Sequence, residues 1–156
     1  MNLPTKIIDL ILVEQVRHKG NFVPEDDAYF EKLANNAELL SHDSLDQCLG
    51  FVLFYCNDPA KYSSYISLLI VAQSSRKSGI GAALVRYVLT TTAQRGFKVC
   101  RLEVRKENTA ALKLYETMGF CQIENRGDKY LMEAQAGQTR VSHENPSLPA
   151  KSPKSL

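Results

Sequence analysis

Tryptophan is absent, and the residues of metal and redox proteins are scarce: four cysteines and three histidines in 156 residues. Cys48, Cys56, Cys100 and Cys121 form no Cys-x-x-Cys pair, and no histidine stands beside them at ligand spacing. Zinc-ribbon and iron–sulfur chemistry is thereby excluded, and no metal is expected. Three of the four fall in apolar, strand-like segments, as buried reduced thiols do, and a cytoplasmic location is the default expectation. There is no surplus of basic charge: 19 Lys and Arg against 17 Asp and Glu leave a net charge of +2. Nothing there points to nucleic acid. Long apolar runs are missing too. The longest, such as Leu49 to Cys56, are strand-sized, so no membrane span is expected. Met1-Asn2-Leu3-Pro4-Thr5-Lys6 lacks the charged start and cleavage site of a signal peptide. Internal repeats are not evident.

What is present is a 44% hydrophobic chain, enough for one core in one domain. Residues 5 to about 18 carry Ile8, Ile11, Leu12 and Val16 near helical spacing and end at Lys19-Gly20. Pro24-Glu25-Asp26-Asp27 opens a second helix with Tyr29, Phe30 and Leu33 as its apolar face, ending near Asn35-Asn36. The acidic trio either draws a cationic amine or only caps the helix. A short strand is expected at 38–41, a turn at 42–46, and a strand buried on both faces from Gln47 to Cys56. Ser64 to Ala72 reads as its antiparallel neighbour.

Gly79 to Arg95 is expected as a helix with Ile80, Leu84, Val88 and Thr91 on one stripe. Lys98 to Arg105 alternates as a strand, with Cys100, Leu102 and Val104 on one face and Arg101, Glu103 and Arg105 on the other. Asn108 to Met118 gives a helix with Ala111, Leu114, Tyr115 and Met118 as its stripe, capped by Gly119. Segments 120–123 and 129–133 suggest a closing hairpin. From Ala134 to Leu156 large apolar residues nearly vanish, so the domain is drawn as 1–133 and residues 134–156 as a disordered tail.

Arg76-Lys77-Ser78-Gly79-Ile80-Gly81 lies between an apolar strand and a helix. A helix start has unpaired N–H groups and a positive dipole end, and glycine lets an anion approach the backbone. The Walker spacing is absent, and no third glycine completes a dinucleotide fingerprint. Arg-x-x-Gly-x-Gly remains. Downstream stand Leu102-Glu103-Val104, Asn108, Ala111, Leu114-Tyr115 and Gly119-Phe120.

Together these resemble the acetyl-CoA core of the GNAT superfamily of small N-acetyltransferases, over about a third of the chain. Gln73, Ser75 and Lys77 depart from its usual residues, and only Met1 to Pro4 are available for the strand that usually precedes the first helix. The resemblance implies an α/β (α+β) fold: a mixed sheet of about six strands, splayed at the cofactor site and flanked by about four helices. It implies a monomer or homodimer that transfers acetyl from acetyl-CoA to a primary amine by direct attack. Leu69 and Val71 would pair with the pantetheine arm. The N–H groups of Arg76, Lys77, Ser78, Gly79, Ile80, Gly81 and Ala82 would hold the pyrophosphate, and Asn108 would contact the cofactor arm. Tyr115 would be the general acid, against an ordinary core tyrosine.

For the base, Glu103 resembles the working glutamate of acetyltransferases that modify ribosomal-protein N-termini. A solvated charge, or a water chain from Ser67 or Tyr65, is the alternative. Phe22-Val23-Pro24, residues 34–38 and residues 54–58 loosely resemble members found with surface-polysaccharide genes, which suggests an amino sugar. Leu102-Glu103-Val104-Arg105 suggests a protein N-terminus instead. A non-catalytic acyl-CoA-binding module is the remaining alternative.

Overall fold

The computed structural model describes residues 3–20 and 22–138. Its elements are helices α1 (Thr5–Arg17) and α2 (Asp27–Asn36), strands β1 (Glu38–Ser44), β2 (Gln47–Tyr55) and β3 (Ser63–Val71), helix α3 (Ile80–Gln94), strand β4 (Val99–Arg105), helix α4 (Thr109–Thr117), and strands β5 (Cys121–Arg126) and β6 (Lys129–Gln135). One sheet runs in the order β1-β2-β3-β4-β6-β5, with β3 and β4 parallel and every other pair antiparallel. This is the mixed six-strand, four-helix architecture expected.

Two cores follow from two faces. β2 is an unbroken apolar run, so both its faces are covered. On one, Ile7 and Ile11 of α1 and Leu33 of α2 pack on Phe51, Leu53, Leu68 and Ile70. On the other, α3 and α4 lay Leu84, Val88 and Tyr115 against Val52, Phe54, Cys100, Leu102 and Val104. The α1–α2 core is built on β2 and β3 alone, and on the same face of β4, β6 and β5 the buried Leu131 sits among polar residues.

Three local readings are revised. The buried side of α1 is Ile7, Ile11 and Glu14, whereas Ile8, Leu12 and Val16 are exposed; of the expected stripe only Ile11 is inside. α1 is apolar on two sides, so spacing alone does not select the inward one. Residues 42–44 are not turn but the end of β1, carried through a register shift at His42/Asp43 into a two-residue turn at Leu45-Asp46. Backbone pairing with β2 outweighs the polar side chains there. β6 runs to Gln135, with a 3-10 turn at Ala136–Gln138 and Ala134 and Ala136 buried, so ordered structure passes the expected boundary at 133. Residues 139–156, where the disordered tail was expected, lie outside the described residues, as do Met1 and Asn2 of the expected vestigial strand; among the described residues no strand precedes α1.

The thiols Cys48, Cys56 and Cys100 are buried and unbridged, while Cys121 is exposed. Burial pushes all three buried thiols up, Cys100 to about 12, and likewise raises the phenols of Tyr29, Tyr55, Tyr65 and Tyr115. The native state therefore keeps protons that the unfolded chain releases, and stability must fall as pH rises through the unfolded thiol value of 9.0. Urea midpoints are expected to be flat between about pH 7 and 8.5 and to drop steadily from about pH 9 to 11. A rising midpoint over that range would contradict this burial pattern.

Candidate active site

The site is a gap in the sheet. β3 and β4 pair in parallel from Ser63↔Val99 to Ile66↔Leu102, and there the pairing stops, although β3 continues to Val71 and β4 to Arg105. A bulge lies at the same place: Leu53 faces Leu68 but Phe54 faces Ile66, leaving Ser67 as the extra residue. Bulges bend a strand and raise its twist, which carries β3 away from β4. The Ala72 N–H donates to the Leu49 carbonyl at 2.8 Å, on the β2 side. Successive residues of a strand turn their backbone groups to opposite sides, so Val71 and Leu69 turn theirs toward the gap. An extended chain laid there meets the edge groups of Leu69 and the Val71 N–H, while the Val71 carbonyl already accepts from Arg76 Nε at 3.1 Å.

The loop from 76 to 79 closes the upper end. Lys77 has φ +67° and Gly79, the N-cap of α3, has φ +88°. The first helical bond runs from the Ala83 N–H to the Gly79 carbonyl, so the N–H groups of Ile80, Gly81 and Ala82 have no helical partner. Among the described residues, no backbone bond engages the N–H groups of Lys77, Ser78 or Gly79 either. Gly81 is tightly packed: a Cβ there would stand 3.3 Å from Leu114 Cδ2 and 3.6 Å from Val71 Cγ2. Six N–H groups at a helix start thus fit a pyrophosphate.

Arg76 is placed differently from the rest. Its N–H is turned to the Gln73 carbonyl, its Nε donates to the Val71 carbonyl at 3.1 Å, and its Nη2 donates to Glu14 Oε2 at 3.0 Å. Asn108 caps α4, its Oδ1 accepting the Ala111 N–H at 3.1 Å.

Tyr115 lies in the α3–α4 core, 7% exposed, its ring edge-on to Phe120 at 5.7 Å between centroids. Its hydroxyl neighbours the Cys100 thiol and, among the described residues, takes no hydrogen bond. Buried hydroxyls are nearly always paired, so an orphan hydroxyl marks a place where something else supplies the partner. Burial, with a smaller contribution from Cys100, holds the phenol well above its usual value, so it carries its proton across the neutral range.

Glu103 sits on the opposite, open face. Arg126 Nη1 donates to its Oε2 at 2.9 Å, and Lys129 Nζ lies 3.9 Å from its Oε1. Tyr65 shares that face; burial first, and the Glu103 charge second, push its phenol up to about 12. Tyr29 of α2 faces Ser67 across the bulge. Every carboxylate of this face has a cation: Arg101 donates to Glu133, Arg105 to Asp128, and Arg126 to Glu124 as well as Glu103.

Of the residues singled out from sequence, Leu69, Val71 and Glu103 stand on the strand stretches that border the gap and the 77–82 loop follows β3; Tyr115 lies in the α3–α4 core beside Cys100, and Asn108 caps α4. Sequence reasoning missed Arg126, Lys129 and Tyr29, brought in by long-range pairing. It also missed Glu14, for which a signal existed: an acid seven residues from Ile7 and three from Ile11 occupies a core position of α1.

Comparison with known proteins agrees with this geometry. N-alpha-acetyltransferase MAK3 of Arabidopsis thaliana is 26% identical over 104 residues, covering 66% of this chain and 55% of that protein. The [ribosomal protein bS18]-alanine N-acetyltransferase of Escherichia coli strain K12 is 36% identical over 55 residues, covering 35% of this chain and 37% of that one. The chain thus spans about half or less of the length of these curated relatives. A crystal structure of the ribosomal-protein-S18-alanine N-acetyltransferase from Escherichia coli superposes with a TM-score of 0.65 at 19% identity, over 95% of this chain and 97% of that one. The NatC complex bound to Gag peptide and CoA gives a TM-score of 0.66 at 21% identity, over 84% and 89%. Residues 8–120, well over half of the chain, match the family described as Acetyltransferase (GNAT) family. The chain belongs to the GNAT family of acetyltransferases.

Proposed function

We propose that this chain transfers the acetyl group of acetyl-CoA to the α-amine at the N-terminus of a protein or peptide. The observation that carries the reading is the gap between β3 and β4, followed by six open N–H groups at the start of α3, with the orphan Tyr115 hydroxyl in the core of the α3–α4 face. Acetyl-CoA supplies an activated acetyl thioester. The backbone edge at Leu69 and Val71 would hold its pantetheine arm as an added strand, with Asn108 at the far side of the gap. The N–H groups of Lys77 to Ala82 would hold its pyrophosphate. Tyr115 belongs to the α3–α4 core and Glu103 to the other face of β4, so the two would approach an acetyl group in the gap from opposite sides of the sheet.

The chemistry left to the protein is proton handling and positioning. Glu103 accepts the amine proton, directly or through water relayed by Tyr65 and Ser67, and passes it to solvent. The neutral amine nitrogen would then form a bond to the acetyl carbon, lose its second proton to solvent by the same route, and the carbon–sulfur bond would break as the tetrahedral adduct collapses. Tyr115 gives its proton to the departing sulfur and is reprotonated from solvent. The phenol reaches the reaction with its proton on, as the donor role requires. Glu103→Gln is expected to lower kcat about 10- to 100-fold with little change in the KM for acetyl-CoA. Unchanged kcat would remove Glu103 from the mechanism.

The acceptor class is argued from charge and from the relatives. The two curated relatives act on protein N-termini by name. A polycation such as an aminoglycoside is best held by several unpaired carboxylates, whereas the carboxylates of the open face here are each matched by an Arg or Lys. Tyr29, Tyr55 and Tyr65 offer instead phenols and ring faces beside one compensated acid, suited to a peptide backbone with a single amine. The test is a panel of peptides with free N-termini, the same peptides N-blocked with internal lysine, amino sugars and an aminoglycoside. Free-N-terminus peptides are expected to lead in kcat/KM by at least about tenfold. An amino sugar in that place would overturn the acceptor assignment and leave the reaction type standing.

A further inference from the structure

The geometry points to Glu14, a residue of α1 outside the gap, as the positioning residue that sets the cofactor loop through Arg76. This inference rests on the cofactor reading above. Glu14 is 6% exposed, deep enough that its charge must be matched inside the fold. Arg17 Nη1 reaches both of its oxygens, at 2.8 and 3.0 Å, and Arg76 Nη2 takes Oε2 at 3.0 Å across 62 residues of sequence. His18 Nε2 stands 3.5 Å from Oε1. The Arg17 and His18 contacts are local to α1. The Arg76 contact is not, and it holds the guanidinium so that Nε reaches the last carbonyl of β3 at Val71.

The first basic residue of such a loop invites reading as a phosphate ligand. Here its side chain is a strut between three elements: α1, the end of β3 and the loop itself. The loop needs one. Lys77 is held at φ +67° and Gly79 at φ +88°, conformations that no helix or strand ladder maintains. α1 is rigidly seated by Ile7 and Ile11, both essentially fully buried. Glu14 therefore transfers the rigidity of the α1–β2–β3 core to the open N–H groups of residues 77–82. It also links the helix bordering the acceptor face to the loop on the cofactor side.

The test is calorimetric binding of CoA to the full chain and to Glu14→Gln, Arg76→Met and the double variant, with steady-state kinetics alongside. Each single change is expected to weaken CoA binding about tenfold and to raise the KM for acetyl-CoA in step, with kcat at saturation reduced less than about twofold. The double variant is expected to be no worse than the worse single one, because both break the same strut. Glu14→Asp, too short to reach Arg76 without moving α1, is expected to behave like Glu14→Gln. A merely structural role would lower the thermal midpoint and raise the KM for the amine as well. Arg76→Met, whose parent side chain is 38% exposed, keeps the test open if Glu14→Gln does not fold. CoA affinity within twofold of wild type in both single variants would overturn the inference, and so would losses that multiply in the double. A wild-type chain that binds no CoA would overturn the cofactor reading and this inference with it.

Discussion

Tyr115→Phe is expected to lower kcat by about 100- to 1,000-fold while leaving the fold as stable as before. Both halves follow from the same observation. The hydroxyl is buried, and among the described residues it takes no hydrogen bond. Deleting a paired buried hydroxyl destabilises a protein, because its former partner is left unsatisfied. Deleting an orphan removes only a desolvated dipole, so the thermal midpoint should hold or rise slightly. The ring stays, and with it the edge-on contact to Phe120. The KM for acetyl-CoA should move less than about threefold, since the phenol acts on the leaving sulfur and not on ground-state binding. A core tyrosine without a chemical role would show the reverse: little change in kcat and a measurable loss of stability. The raised phenol adds a pH criterion. Tyr115 stays protonated well past the ordinary tyrosine value of 10.0, so kcat/KM should show no alkaline decline from this group between about pH 8 and 10.

Gly79→Asp is expected to weaken cofactor binding by about 100-fold or more in affinity, with a stability loss of about 1 kcal/mol from the backbone strain that any side chain meets at φ +88°. Gly79 is the N-cap of α3, at φ +88° and ψ 0°. Aspartate is among the few residues that tolerate this left-handed region, and a carboxylate at a helix start is favourable to the helix itself. A Cβ at Gly79 meets nothing within 4 Å, so no clash confuses the result. What the substitution changes is the charge seen by a pyrophosphate approaching the N–H groups of residues 77–82. Gly79→Asn, nearly isosteric and neutral, should keep affinity within about tenfold of wild type. Equal losses in the two variants would assign the effect to backbone conformation instead of charge. Unchanged CoA binding in Gly79→Asp would remove the loop from the cofactor site.

Much of the site was legible in the chain because its signals are local. The loop from Arg76 to Gly81 is contiguous, and the α3 stripe Ile80, Leu84, Val88 and Thr91 is buried as its spacing predicts. The alternation Cys100, Leu102, Val104 turns inward, which sends Glu103 to the open face. The splay itself was carried by the family resemblance, since no periodicity encodes where two parallel strands stop pairing. Long-range partners were illegible for a physical reason. Arg126 reaches Glu103 only because β4 pairs with β6 in a register that sets Glu103 opposite Leu131, while the turn at Gly127 returns β5 alongside. Pairing register depends on the whole sheet. The inward face of α1 was missed because its true stripe contains a charge, and a rule that places acids outside discards Glu14. That acid is buried because two arginines, Arg17 and Arg76, meet it.

The most direct test of the account is thiol release from acetyl-CoA by the wild-type chain, with and without a short peptide carrying a free N-terminus, and with the product located by fragmentation mass spectrometry. The account predicts release only when the peptide is present, one acetyl group per thiol, placed on the α-amine, and none with the N-blocked peptide. CoA binding without release on any peptide, amino sugar or aminoglycoside would contradict it, and would leave Tyr115 and Glu103 as residues of a binding module.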